Sequence, residues 1–157
     1  MTEALKKYFE GYKQSFFTTS DGVRLSVFHH AGPGKVLIMI PGWSGNAVGY
    51  ARLLPSLAEK HEVYVLEHRG HGYSETPKSG YRLSRLAMDL HEFFLSLQIP
   101  KASFLGHSMG CSVLWCYIDL FGTYTIEKLI LGDEPPMLFA NPEDSEEEVQ
   151  LYGGQRF

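Results

Sequence analysis

The residues best suited to do chemistry sit in one pentapeptide, Gly106-His107-Ser108-Met109-Gly110, which fits the pattern G-x-S-x-G. In a sharp turn from strand to helix, such a serine is held proud of the backbone in a strained conformation, and glycines two residues to either side remove Cβ atoms that would collide. A helix beginning at Met109 brings backbone N–H groups up to the hydroxyl, and the Met109 N–H becomes a donor for a developing oxyanion. A second donor is expected from Pro41-Gly42-Trp43-Ser44-Gly45-Asn46, with the Trp43 N–H as candidate. A serine between two such donors is equipped for acyl transfer. The same pattern also arises by chance in Gly/Ser-rich loops, and Trp43 can equally be a packing residue in a Gly-rich turn. The surrounding elements must therefore decide.

Those elements read clearly. Ser15 to His30 holds two short β-rich stretches split by Asp21-Gly22, a hairpin turn signal. Lys35–Ile40 and Glu62–Glu67 are short apolar runs of the kind buried on both faces of a parallel sheet. Between them, Ala47–Lys60 has helical spacing with Pro55 as a kink point. Leu83, Leu86, Ala87, Leu90, Phe93, Phe94 and Leu97 recur at steps of three and four and predict an amphipathic helix over 81–97. Ala102–Leu105 then makes a strand running into the pentapeptide, Met109 to Phe121 a helix closed by Gly122, and Glu127–Leu131 a last strand ending at Gly132-Asp133. The order predicts an α/β fold, a mostly parallel sheet with helices on both faces. Residues 1–14 are expected to be a helical N-terminal segment, and 137–157, with five carboxylates in Glu143–Glu148, a solvated linker or the start of a lid.

Composition removes several other classes. A chain of 157 residues, 44% apolar, can bury roughly 70% of its unfolded surface without metals or disulfides. Fourteen basic against 18 acidic residues, with no dense Lys/Arg block, argue against nucleic acid as a partner. No run of about 20 apolar residues predicts a membrane span. The cysteines, Cys111 and Cys116, fall on one predicted helix too far apart to bridge, and the N-terminus lacks the pattern of a secretory signal, so a reduced, cytoplasmic setting is expected.

The segments Pro41-Gly42-Trp43-Ser44, His68-Arg69-Gly70-His71-Gly72-Tyr73-Ser74, the pentapeptide and Leu131-Gly132-Asp133-Glu134-Pro135-Pro136 together resemble the α/β-hydrolase fold superfamily, from about Phe16 to Pro136. The likeness is to its serine-nucleophile branch, which includes small esterases and cofactor-free haloperoxidase-like proteins. It implies Ser108 as nucleophile, Trp43 and Met109 N–H groups as oxyanion hole, and no cofactor or metal. Two residues depart from the usual pattern: Pro41 stands where many members carry His, and Glu67 where Asp usually opens the loop after the fourth strand. Serine at the turn disfavours the dehalogenase and epoxide hydrolase chemistries, which use Asp there.

In this family the triad follows the order Ser, Asp/Glu, His. No histidine follows Ser108; all seven lie at or before His107. His107 adjoins the nucleophile but is expected to point away from it, His71 is the leading substitute base, and His68 with His71 lack a third ligand for a metal. Asp133 is the candidate acid, with Glu134 behind it and loop hydrogen bonding as the bland role. The resemblance also implies about eight strands and well over about 200 residues, so the chain reads as the N-terminal part of such a fold, truncated after about six strands. Its sixth strand would then be an exposed edge, open to self-association or to a complementing C-terminal segment. The expected function is hydrolysis of a small ester-like molecule by Ser108, with the base outside this chain. The rivals are cofactor-free perhydrolase, lyase or oxygenase chemistry, and a catalytically silent fragment or binding module.

Overall fold

The computed structural model describes residues 3–133 and 145–147. A short helix α1 (Glu3–Lys6) and a 3-10 turn (Lys7–Phe9) lead into β1 (Lys13–Thr18), which pairs antiparallel with β2 (Arg24–His30). The hairpin turns where Asp21-Gly22 predicts. Gly22 has φ +84°, a conformation glycine adopts without a Cβ penalty, and donates its N–H to Thr19 O at 2.9 Å.

β3 (Val36–Ile40), β4 (Glu62–Leu66), β5 (Ala102–His107) and β6 (Ile126–Gly132) complete a six-stranded sheet in the order β1-β2-β4-β3-β5-β6. β2 runs antiparallel to β4, and the β4-β3, β3-β5 and β5-β6 pairs are parallel. The chain winds from β3 to β4 on one side, then crosses back to place β5 on the other. The direction of winding therefore reverses between β3 and β5, and in open α/β sheets the crevice at such a reversal, beyond the carboxyl ends of the strands, is where ligands bind. The loop after β3 holds Trp43 and the turn after β5 holds Ser108.

Helices cover both faces, as the pattern predicts. α3 (Leu83–Ser96) and α4 (Met109–Phe121) pack Leu86, Leu90, Phe93, Phe94, Val113, Leu114 and Tyr117 against Ile38, Ile40 and Phe104. On the other face a 3-10 turn (Ala47–Tyr50) and α2 (Leu54–Ala58) meet Leu37, Met39, Val63 and Val65. Alternate residues of β3 thus enter different clusters, which is why the run is apolar throughout. Gly122, with φ +75°, closes α4 and donates its N–H to Ile118 O at 2.8 Å.

The single kinked helix expected over 47–60 is instead two short elements. Asn46 Oδ1 caps the first by accepting the Val48 N–H at 3.0 Å, and Pro55 lies in the first turn of α2, where its missing N–H removes no helical bond. Proline here marks a start. A feature not anticipated is the burial of Arg69, whose side chain is 1% exposed and bonds Asp89 of α3 at 2.7 Å and Asp21 of the hairpin turn at 2.9 and 3.0 Å. Chiefly through its hydrogen bonds, Arg69 holds the Asp21 carboxyl well below the usual carboxylate range. None of the described helices is long and apolar enough to cross a membrane. The segment 137–157, expected to begin a lid or linker, lies outside the described residues except for 145–147.

Candidate functional site

Ser108 occupies the turn between β5 and α4 with φ +49° and ψ −127°, a left-handed backbone that a residue with a side chain adopts at a cost. What keeps it there is contact. A Cβ on Gly110 would fall 2.2 Å from Ile40 O, and one on Gly106 would fall 2.8 Å from the Gly110 backbone and from Leu114 Cδ1. The two flanking glycines thus let β5, α4 and the end of β3 approach backbone to backbone. The Ser108 N–H donates to Gly132 O at 2.8 Å and the Cys111 N–H to Ser108 O at 2.7 Å, tying the turn to β6 and to its own helix.

Across from it, Gly42 sits so close that a Cβ there would lie 2.9 Å from Ser108 Cβ and from His107 O. The Gly45 N–H donates to Gly42 O at 2.9 Å, closing a tight turn with Trp43 and Ser44 at its centre and Ser44 at φ +56°. Neither the Trp43 nor the Met109 N–H donates to an acceptor among the described residues. A cleft of about 320 Å³ opens between the two turns, lined by Trp43, Asn46, Tyr50, Leu53, His107 and Ser108 among others. Trp43 is 72% exposed, so it is not a core packing residue.

The loop after β4 supports this turn from behind. Glu67, 1% exposed, accepts the Ala47 N–H on Oε1 at 2.9 Å and the Tyr73 N–H on Oε2 at 2.8 Å. His68, also buried, donates from Nε2 to Pro41 O at 3.0 Å. Burial, with a smaller contribution from neighbouring His71, pushes the His68 ring down to about 4 despite the Pro41 bond, so the ring is neutral at pH 7. In sequence Glu67 stands only as the end of an apolar run and as a departure from the usual Asp, and neither feature points to its contact with the Ala47 N–H. The available signal was a carboxylate where an apolar strand enters a Gly-rich loop, a position that buries it.

The remaining candidates are dispersed. His71 donates from Nδ1 to Arg69 O at 3.0 Å and meets the Trp43 ring edge to face at 5.6 Å, lining a neighbouring depression with Ser44 and Tyr81 rather than the cleft of Ser108. His107 is among the residues lining the cleft beside Ser108, and a Cβ on Gly42 would lie 3.3 Å from its Nδ1. Asp133, 88% exposed at its side chain and at φ +61°, follows β6, with Oδ2 3.9 Å from His107 Nε2 and thus beyond hydrogen-bond reach. His29, His68 and His71 direct their hydrogen bonds to Glu62, Pro41 and Arg69, none to Ser108.

A family model described as alpha/beta hydrolase fold matches residues 35–150. The chain is 32% identical over 108 residues to a soluble epoxide hydrolase of Corynebacterium sp. strain C12, covering 69% of this chain and 37% of that one. It is 28% identical over 137 residues to the non-heme chloroperoxidase CPO-A1 of Kitasatospora aureofaciens, covering 84% and 50%. Among solved structures, the esterase EaEST of Exiguobacterium antarcticum superposes with a TM-score of 0.76 at 25% identity, covering 88% of this chain and 54% of the esterase. The chain spans about half the length, or less, of these relatives. A family match across most of the chain, a sheet reversing between β3 and β5, and a strained serine at that reversal agree, and the chain belongs to the alpha/beta hydrolase fold family.

Proposed function

We propose that Ser108 is the nucleophile of a serine hydrolase acting on a small ester-like molecule. The reading is carried by one observation: Ser108 is held at φ +49° at the start of α4, facing a cleft shared with the Trp43 turn. Its oxygen would attack the ester carbonyl, and the negative charge passing to the carbonyl oxygen would be met by the Trp43 and Met109 N–H groups, which have no other described acceptor. The alkoxide leaves with a proton, and water then releases the acid and restores the serine. Asp133 is the acid of the triad in this reading, and the base is a histidine outside these 157 residues, since none follows Ser108. Steady-state hydrolysis of p-nitrophenyl acetate by the full-length protein tests it. Ser108→Ala lowers kcat by at least about 10³-fold; equal rates would sink the proposal.

A second reading, cofactor-free perhydrolysis, is favoured by the similarity to a non-heme chloroperoxidase. It needs the same serine and donors but delivers the acyl group to peroxide. Halogenation of monochlorodimedone with acetate, peroxide and bromide, exceeding ester hydrolysis in rate, would select it. Cys111 and Cys116 form no disulfide among the described residues, which supports a reducing, cytoplasmic setting. Among the described residues the outer edge of β6 has no strand beside it, which supports pairing with a second copy or a complementing segment; sedimentation as a monomer would count against the former.

A further inference from the structure

The turn that carries Trp43 is short of internal bonds. Its one backbone hydrogen bond joins Gly45 to Gly42, and Ser44 is left in the left-handed region. A turn so built has little of its own to fix the direction of the Trp43 N–H. What fixes it comes from two consecutive residues after β4. His68 Nε2 holds the carbonyl of Pro41 where the chain enters the turn, and Glu67 Oε1 holds the N–H of Ala47 where it leaves. The second carboxylate oxygen of Glu67 is anchored on the Tyr73 N–H, and a Cβ on Gly72 would lie only 2.3 Å from that carboxylate, so the Gly-rich loop closes directly on it. Ser74 completes the support, donating from Oγ to Glu67 O at 2.7 Å and accepting the Ser26 N–H at 2.8 Å, which fastens the loop to β2. Both groups are buried, and their side-chain hydrogen bonds among the described residues go to backbone alone. They are out of reach of a molecule in the cleft.

We infer that Glu67 and His68 are positioning residues, a two-point clamp that aims the Trp43 N–H at the oxyanion. The inference rests on the reading of Ser108 as nucleophile and Trp43 as oxyanion donor. An N–H that is mis-aimed costs nothing while a neutral carbonyl is bound and costs most when that oxygen carries charge, so the clamp acts on kcat and leaves KM nearly unchanged. Glu67→Gln keeps the volume and replaces one acceptor by an NH2 group, leaving either the Ala47 or the Tyr73 N–H facing a donor. At the other end, His68→Gln retains an N–H donor near the position of Nε2, whereas His68→Leu has none.

The experiment is steady-state ester hydrolysis by the full-length protein and these three variants, with Ser108→Ala beside them, and with affinity for an alkylboronic acid measured as a mimic of the tetrahedral adduct. Expected are a fall in kcat of about tenfold to a hundredfold for Glu67→Gln and His68→Leu, KM within about twofold, an equal loss of boronate affinity, and recovery of most of the loss in His68→Gln. If Glu67→Gln fails to fold, the His68→Leu and His68→Gln pair decides alone, since a role confined to stability predicts equal kcat in folded protein. Unchanged kcat in folded Glu67→Gln or His68→Leu, with activity still abolished by Ser108→Ala, overturns the clamp and spares the reading of Ser108. Activity indifferent to Ser108→Ala overturns both.

Discussion

Two turns face each other across the candidate cleft, and they are held in place by different means. The Ser108 turn is held by close contact of main chain with main chain: Gly106 and Gly110 admit β5, α4 and the end of β3 at distances no side chain permits, and Gly132 O receives the Ser108 N–H. The Trp43 turn is held by buried side chains reaching from a distant loop, with Glu67 at its exit and His68 at its entry. The first rests on sterics and backbone bonds, with no titratable side chain in its support. The second depends on buried polar side chains, among them the neutral ring of His68, while each turn carries one serine at positive φ, Ser108 and Ser44.

The comparison can be broken most severely on the steric side. Gly110→Ala places a methyl 2.2 Å from Ile40 O, which belongs to a central strand and cannot retreat. Loss of about 3 kcal/mol of stability or more is expected in denaturant unfolding, far beyond the usual effect of adding one methyl. Stability within about 0.5 kcal/mol of the original would show that α4 and β3 can slide apart.

The polar side breaks with acid. The His68 ring is pushed down to about 4, against an ordinary value of 6.5, so between those values the unfolded chain binds a proton that the folded chain refuses. Stability from this group is therefore full above pH 6.5 and is lost as pH falls towards 4, on the order of 3 kcal/mol in all. His68→Gln should flatten that part of the pH profile of the unfolding midpoint, whereas a profile parallel to the original would mean that His68 is not buried neutral. The smallest effect lies at the turn itself. Ser44→Gly removes the penalty of φ +56° at the cost of a more flexible unfolded chain and should raise stability by roughly 0.5 kcal/mol. A decrease would mean that the serine side chain has a bonding role.

Legibility followed the same division. The Ser108 turn was readable because its causes lie within five residues: glycines, a strand before, a helix after. Met109 to Phe121 is α4 to the residue, while the strand ends differ from the expected ones by one or two positions. The clamp was not readable, because Glu67 and Ala47 are twenty positions apart and only the sheet order brings them together. Pro55 misled because the same residue kinks a long helix or opens a short one, and the Asn46 cap upstream decided which. Asp133 lies at the end of β6 as its position in sequence implies, yet its nearest described histidine is His107, and nothing in the residue types alone would set that distance at 3.9 Å.

The central claim is that the strained serine is the reactive one. Treatment of the full-length protein with a fluorophosphonate, followed by digestion and mass spectrometry, tests it without assuming a substrate. The account predicts a single phosphonyl adduct on the peptide carrying Ser108, absent from Ser108→Ala and from protein unfolded beforehand. An adduct on another residue, or labelling that survives Ser108→Ala undiminished, would contradict it.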